Sequence, residues 1–282
     1  MRGLFATRGA LVGSVLVGML VLVAVWSSVS GSDATSMDVE HGLTELGAPL
    51  SPSEHGPLGT DALGRDVWTR VAVGARTSLT VATLATVLAL VIGLAIGLAA
   101  GYAGGRVDSL LMRLVDLVLA FPALLLAILL ATLLRERGLA DANAPVVLTL
   151  ALVSWTTMAR VIRGKAMALA RSELVAGARA IGASPLRIIV RHVLPNLAGL
   201  VVAVALLAFA ENLAAEAVLS FLGLGPPPPA PTWGRMFYEG RLYYRTSPHL
   251  VLVPGLAILA AVAGFHLLGE ALRERFDPRG RA

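Results

Sequence analysis

The chain has 282 residues, of which 56% are hydrophobic and 15% are charged, and its mean hydropathy is +0.78. A soluble domain carries roughly 25% charged residues, so this composition excludes an ordinary soluble protein and indicates a membrane protein. The absence of cysteine excludes disulfide frameworks and thiolate metal sites, and the formal charge of +5 is scattered between apolar runs, which argues against nucleic-acid binding.

Six charge-free runs are long enough to cross a bilayer, since a spanning helix needs about 20 apolar residues. They lie between residues 8 and 33, 76 and 106, 116 and 135, 141 and 160, 191 and 211 (with apolar residues continuing to 224), and 245 and 270. The sequence therefore predicts an all-α integral membrane protein with six transmembrane helices. If the N-terminus is cytoplasmic, fifteen of the 23 basic residues fall on the cytoplasmic side. The positive-inside rule thus predicts that both termini are cytoplasmic.

These runs divide the chain into an N-terminal transmembrane helix, an outer loop, a five-helix core and a basic cytoplasmic tail. The predicted ranges are 1–31, 32–76, 77–270 and 271–282 respectively. The first run has an alternative interpretation as a cleaved signal peptide, because Arg2 and Arg8 precede it and small residues follow it.

The end of the outer loop predicts an amphipathic elbow that lies on the membrane surface. Val67 and Val71 share a helical face with Gly74, and Trp68 suits the headgroup level. The same periodicity equally fits a direct start of the second helix.

Glycine recurs at every fourth position of the second run, at Gly93, Gly97, Gly101 and Gly105. Small residues at this spacing allow another membrane helix to approach closely. We therefore predict a helix-packing stripe, whose partner the sequence does not identify.

The segment 160–196 is too polar to span the membrane and too periodic to be a plain loop. Leu174, Ala178 and Ile181 repeat at the spacing of one helical face, which predicts a short helix.

A sharp turn is predicted directly after this helix. Gly182 is expected to end the helix, Ser184 to cap a second short helix, and Pro185 to occupy its first turn. The second helix is expected to end at Pro195.

On the opposite side, the segment 223–245 contains four consecutive prolines, from Pro226 to Pro229. They predict a stiff polyproline arm without backbone donors. Trp233 and Met236 are expected to anchor the following turn at the membrane interface.

The sequence contains no nucleotide site of the P-loop type, because its one lysine, Lys165, lies in RGKAM and lacks the following Ser or Thr. Glu211 and Glu216 are the acidic residues deepest in an apolar run, which makes them candidates for contact with the ammonium group of a substrate. A structural role for each is the simpler interpretation. Two other classes stay open: an ion-gradient-driven secondary transporter, and an intramembrane hydrolase that uses Ser220 and His266.

Four motifs resemble the membrane permease subunits of ATP-binding-cassette (ABC) importers, in the dipeptide and oligopeptide branch that also handles nickel and glutathione. They are LGTDALGRDVWTR at 58–70, MRLVDLVLAFPALLLAI at 112–128, ELVAGARAIGASPLRIIVRHVLPN at 173–196, and EAVLSFLGLG followed by the proline arm and WGRM at 216–236. In this order they resemble the second permease of such a pair. The resemblance implies the type I ABC importer permease fold.

The third motif resembles the EAA loop of this family. Ala178, Gly182 and Leu194–Pro195 keep the family pattern, whereas Ala176 stands where the family has glutamate and Gly177 replaces the first alanine. The resemblance implies a coupling helix that is seated in a cleft of an ATPase subunit. Its residues would be Val175, Ala176, Gly177, Ala178, Arg179, Gly182, Ala183, Ser184, Pro185 and Leu186.

The resemblance further implies half of a translocation pathway for short peptides in the cell membrane, with nickel or glutathione as alternative substrates. The implied partners are a homologous permease subunit, two ABC ATPase subunits, an external substrate-binding protein and membrane lipid. The chain is expected to catalyse no reaction and to bind no cofactor, since ATP and Mg²⁺ would be bound by the ATPases. No metal site is expected either, because His41 and His55 lack a metal-ligand pattern.

Overall fold

The computed structural model describes residues 8–52, 56–137 and 143–276. Its elements are α1 Arg8–Val29, α2 Val67–Ala103, α3 Gly105–Leu119, α4 Ala123–Glu136, α5 Ala144–Ala170, α6 Glu173–Ala180, α7 Pro185–Ile188, a π-helical turn at Ile189–Val193, α8 Leu194–Phe221, α9 Trp233–Gly240, a 3-10 turn at Arg241–Tyr243, and α10 His249–Phe276. The predicted all-α class is confirmed. Residues 1–7 of the predicted first helix and 277–282 of the predicted tail lie outside the described residues.

Five helices of the described ranges are long and apolar enough to cross a membrane: α1, α2, α5, α10 and the continuous helix from 185 to 221. The third predicted run is not one straight span. α3 and α4 meet there at an angle of 86°, because Pro122 offers no N–H and disfavours a helical conformation at Phe121. Counted as one broken span, the bent pair brings the number of candidate spans to six.

Two predicted boundaries around the polar segment 160–196 are wrong. α5 continues to Ala170, so the first part of this segment is helical. The second short helix does not end at Pro195 but runs into α8 through the π-helical turn. There the Leu194 N–H reaches back to the carbonyl of Ile189, and the wider turn accommodates a proline that cannot donate a hydrogen bond.

α2 begins without a separate elbow helix. Asp66 caps its first turn by accepting a 2.7 Å hydrogen bond from the Thr69 N–H, and α2 then continues for 37 residues, or about 55 Å. Trp68 in its first turn lies against Trp26 of α1, with ring centroids 5.9 Å apart. Of the two arrangements that the sequence allowed, the structure has the direct start of the second helix and not the amphipathic elbow.

α2 and α5 are in backbone contact along the predicted glycine stripe. A Cβ atom on Gly97 would lie 2.7 Å from the carbonyl oxygen of Ala159, and one on Gly101 would lie 2.6 Å from that of Arg163. Gly93 approaches the same helix equally closely. Gly105 does not belong to this contact, because it opens α3 with φ +54° and a Cβ there would meet nothing within 4 Å.

α10 completes the bundle by packing against α8 on one side and α1 on the other. Phe209 of α8 and Phe265 of α10 stack with centroids 4.0 Å apart. A Cβ atom on Gly13 of α1 would lie 2.9 Å from the carbonyl oxygen of Gly264 in α10. α1 thus packs against α10 and, through Trp26 and Trp68, against the start of α2.

We expect Gly97→Ala to lower the stability of the protein by about 1–3 kcal/mol, because the added methyl group forces α2 away from α5. The matched control is Gly164→Ala in α5, where a Cβ meets no atom within 4 Å. That exchange should be neutral or stabilising by up to about 1 kcal/mol. Thermal unfolding of the detergent-solubilised protein measures both, and equal unfolding temperatures for the two variants would contradict the role of the stripe.

Candidate functional site

A helix, a sharp turn and a second helix form a corner, which we define as residues 173–188. α6 ends in a Schellman motif: the N–H of Ala183 donates to the carbonyl of Ala178, and the N–H of Gly182 donates to the carbonyl of Arg179, both at 3.0 Å. Gly182 has φ +80°, a conformation that favours glycine. Ser184 occupies the cap position of α7 through its backbone, but its side chain makes no capping hydrogen bond, so the predicted side-chain cap is wrong.

One face of this corner is anchored in the core. Val175 and Ala178 of α6 and Ile188 of α7 are buried in the same apolar cluster as Leu98 of α2 and Val115 of α3. Of the other residues that the resemblance implies for a coupling helix, Ala183 is half-buried. The exposed ones are Ala176, Gly177, Arg179, Gly182, Ser184, Pro185 and Leu186.

The outer face of the corner carries large apolar side chains. We define the corner surface as Leu174, Ile181 and Leu186, of which Ile181 is 86% exposed and Leu186 is 72% exposed. Arg179 lies beside this surface, with its guanidinium 5.2 Å from the ring centroid of Tyr102 at the end of α2. An apolar surface bordered by basic residues is typical of a protein–protein interaction site.

Two ion pairs hold α3 against the half of α5 that leads to the corner. Arg163 pairs with Asp108, with 2.6 Å between Nη2 and Oδ2, and Arg160 pairs with Asp116 at 2.7 Å. The first pair is partly shielded from solvent and the second is exposed. α3, α5 and the corner therefore form one connected unit.

The two glutamates of α8 occupy different environments. Glu216 is completely buried and accepts a 2.6 Å hydrogen bond from the Ser220 hydroxyl. Within the described residues, its Oε2 atom and the nearby Ser78 hydroxyl have no hydrogen-bond partner. In this conformation Glu216 is out of reach of a substrate, and the Ser220 hydroxyl of the alternative hydrolase site is bonded to a carboxylate instead of a histidine.

Glu211, in contrast, is exposed. It lines a cavity of about 290 Å³ that is bounded by the α3–α4 break, α5 and α8. The two histidines of the outer loop, His41 and His55, give no evidence of a metal site. His41 contacts Asp38 at 3.3 Å, no group of three potential metal-ligating side chains occurs among the described residues, and His55 lies outside them.

Comparison with known proteins identifies the family of this helical bundle and its corner. Residues 93–282 match the family described as the inner membrane component of binding-protein-dependent transport systems. The chain belongs to this family. It is a multi-pass membrane permease of the ABC importer class, and the match covers α5, the corner, α8 and α10.

Relatives extend the similarity over nearly the whole permease. A protein of Brucella suis biovar 1 (strain 1330), described as a peptide transport system permease, is 38% identical, over 99% of this chain and 90% of its own length. The glutathione transport system permease GsiD of Shigella flexneri serotype 5b (strain 8401) is also 38% identical, over 96% of this chain and 86% of its own.

Among solved structures, the MetNI methionine ABC transporter in an inward-facing conformation is similar to the permease. The TM-score is 0.59 at 17% identity, over 72% of this chain and 94% of the other. At this identity the similarity shows the fold alone, which is the type I ABC importer permease fold that the motifs implied.

The proline arm of the permease is attached at both ends. Arg135 of α4 donates a 2.7 Å hydrogen bond to the carbonyl of Gly223. Trp233, at the start of α9, is buried and donates from Nε1 to the carbonyl of Val71 at 3.0 Å. The predicted interfacial anchor at Trp233 is therefore wrong, because Gly74 of α2 leaves room for the indole ring.

A cluster of charges that sequence reasoning missed joins the outer loop, α2 and α9. It consists of Asp61, Arg65, Arg70, Arg235 and Glu239. Arg70 is buried and pairs with Asp61 and, at 3.0 Å, with Glu239. Arg65 bridges the same two carboxylates, at 2.7 and 3.1 Å, and Arg235 contacts Glu239 at 2.9 Å. The alternating charges of the TDALGRDVWTR segment were a signal for this cluster, but the partner on α9 lies far away in the sequence.

The charge cluster predicts a pH-dependent stability. Burial raises the pKa of Glu239, but the charges of Arg70 and Arg65 and the hydrogen bonds from Arg235 and Arg70 outweigh it and hold this pKa below its ordinary value of 4.5. The stabilisation by the ionised carboxylate is therefore fully present above about pH 4.5 and is lost as the pH falls through the lower folded-state pKa.

We expect Glu239→Gln to lower the stability of the permease by about 1–2 kcal/mol at neutral pH, and this difference to shrink below about pH 4.5. The measurement is the unfolding temperature of both proteins across the pH range. Glu45→Gln, at an exposed position of the outer loop, is the control and should match the parent protein. A difference that is constant down to pH 3 would contradict the assignment.

Proposed function

We propose that this permease forms half of the translocation pathway of an ATP-driven importer for short peptides. The observation that carries the proposal is the corner, which is anchored in the core by Val175 and Ala178 and presents an exposed apolar surface on its other face. The peptide substrate class is supported by the names of relatives that match almost the whole chain.

Glutathione is the second candidate substrate, because GsiD of Shigella flexneri is 38% identical to this chain, as is the peptide permease of Brucella suis. Glutathione is itself a tripeptide with a free α-ammonium group, so both candidates place the same chemical demands on a pathway. Within the described residues nothing favours nickel over these two.

The partners follow from what this chain lacks. It has no P-loop, so ATP hydrolysis and Mg²⁺ binding belong to two ATPase subunits that dock at the corner surface. A homologous permease covers the exposed apolar residues of α3 and α4, such as Leu117 and Leu125, which are 62% and 63% exposed. An external binding protein delivers the substrate on the side of the proline arm.

The corner is suited to transmit motion to the pathway. α6 is a rigid helix, and its buried residues belong to the apolar cluster that also contains the contact residues of α2 and α5. Interfaces packed in this way move as bodies instead of deforming gradually. A displacement of the corner by a closing ATPase pair is therefore passed to α5 and, through the ion pairs, to α3.

The orientation is tested with single cysteines, since the chain has none of its own. We expect a membrane-impermeant maleimide to label Leu46→Cys in intact spheroplasts and Ile181→Cys only after permeabilisation, because both termini and the corner are cytoplasmic. The two positions are matched, being 97% and 86% exposed. Labelling with the opposite preference would refute the proposed topology.

We expect Ile181→Asp and Leu186→Asp to reduce ATP-driven peptide uptake and substrate-stimulated ATPase activity at least roughly tenfold, as the loss of about 1.4 kcal/mol at the docking surface would do. Both residues are exposed, so the unfolding temperature of the permease should not change. Leu46→Asp, in the outer loop, is the control and should transport normally. Normal coupling in both corner variants would refute docking at the corner, whereas a parent complex without ATP-dependent uptake would refute the proposed function itself.

A further inference from the structure

Glu211 is an exposed carboxylate on a membrane-spanning helix. It lies ten residues before the end of α8 at Phe221, or about 15 Å along the helix axis. Among the described residues, no side chain forms an ion pair or a hydrogen bond with it. A carboxylate that faced lipid there would cost about 2.5–3.5 kcal/mol. Glu211 therefore faces water or a cation in the assembled importer.

The cavity beside Glu211 is apolar with a few polar groups on one wall. Leu119 and Phe121 contribute from the α3–α4 break, and Ser154 and Thr157 contribute from α5. Its volume of about 290 Å³ is at the lower end of small-ligand sites. The cavity therefore suits one end of a substrate, not a whole peptide.

The helix break adds a second feature that favours a positive charge. α3 ends at Leu119, beside the cavity, and the carboxyl end of a helix carries a partial negative charge. The N–H groups of Ala120 and Phe121 pair with the carbonyls of Asp116 and Val118, and Pro122 offers no further N–H to the remaining carbonyls. The carboxylate of Glu211 and the carboxyl end of α3 thus both place negative charge beside this cavity.

The rotation of α8 is fixed so that Glu211 points to this side. The next residue, Asn212, is buried and donates a 3.0 Å hydrogen bond to the Thr86 hydroxyl of α2. Successive residues are about 100° apart around a helix. With Asn212 held against α2, Glu211 is turned toward α4 and α5.

We propose that this cavity is a cation subsite of the pathway, which takes the α-ammonium group of a transported peptide with Glu211 as its counter-charge. The proposal rests on the proposed function. An ammonium group has three N–H donors, which match the Glu211 carboxylate and the hydroxyl oxygens of Ser154 and Thr157. Nickel prefers imidazole ligands, and the cavity lining that the structure describes includes no histidine.

The first experiment measures the charge preference of the cavity. In the complete importer in lipid vesicles, Thr157→Cys is treated with methanethiosulfonate reagents that carry either a trimethylammonium or a sulfonate group, and labelling is followed by mass spectrometry of this chain. We expect the ratio of the cationic to the anionic labelling rate to be roughly tenfold higher than the same ratio for free cysteine in solution, which corresponds to about 1.4 kcal/mol. Glu211→Gln should remove this preference, and Glu211→Asp should retain it.

Thr83→Cys is the matched control, since Thr83 is an exposed threonine of α2 outside this cavity. Its ratio of labelling rates should not respond to Glu211→Gln. If the importer with Glu211→Gln fails to assemble, the labelling of Thr157→Cys with Glu211 present and with Glu211→Asp still tests the subsite. A ratio of labelling rates at Thr157→Cys equal to that of free cysteine, or no labelling of Thr157→Cys at all, would overturn the subsite.

The second experiment identifies the ligand. We expect dialanine to protect Thr157→Cys from labelling, and N-acetyl-dialanine and Ni²⁺ to give no protection. Uptake of dialanine by the parent importer is measured in the same vesicles. Absence of ATP-dependent uptake would refute the proposed function, whereas intact uptake combined with equal protection by the acetylated peptide, or with protection by Ni²⁺, would overturn the ammonium subsite alone.

Discussion

Gly93, Gly97 and Gly101 allow α2 and α5 to meet backbone against backbone. In a membrane the lipid tails are as apolar as the helices, so association depends on close van der Waals contact instead of the hydrophobic effect. The other functional elements are attached to this helix pair. α3 is tied to α5 by Arg163 and Arg160, the corner follows the end of α5, and α8 packs against both helices. A change that separates α2 from α5 would therefore displace every candidate functional surface at once.

This dependence explains how a small corner can act on a large bundle. Val175 and Ala178 share a buried cluster with residues of α2, α5 and α8, so the corner is connected to these three helices through packed side chains. The Schellman turn at Gly182 serves the same end, because it fixes the angle between α6 and α7 by backbone hydrogen bonds. The apolar residues left exposed on the corner surface are those that anchor nothing inside the chain, which leaves them available to a partner.

The spans were predictable because twenty apolar residues in a row have few alternatives, whereas features set by backbone geometry or distant contacts were not. Gly105 continues the four-residue spacing of the stripe, but a spacing cannot reveal a positive φ. The run between 116 and 135 is long and apolar enough for one straight span, although Pro122 breaks it. The proline was the one residue in the sequence that indicated a break. Trp233 is of a residue type that is typical of membrane interfaces, but it is buried here. Its burial depends on Gly74, more than 150 residues earlier in the chain.

Glu211 and Glu216 show how neighbours decide the role of similar residues. Their separation of five residues predicts an angle of about 140° around the helix, but not which of them faces a cavity. Ser220, one turn after Glu216, satisfies part of that carboxylate within the same helix, and Ser78 of α2 borders it. Within the part of the chain that the structure describes, Glu211 has no such neighbour and instead faces the place where the α3–α4 span is broken. A broken helix in a membrane is tolerated where it lines a cavity. The broken span and the exposed carboxylate therefore meet the same constraint, since each requires a cavity instead of lipid at that depth.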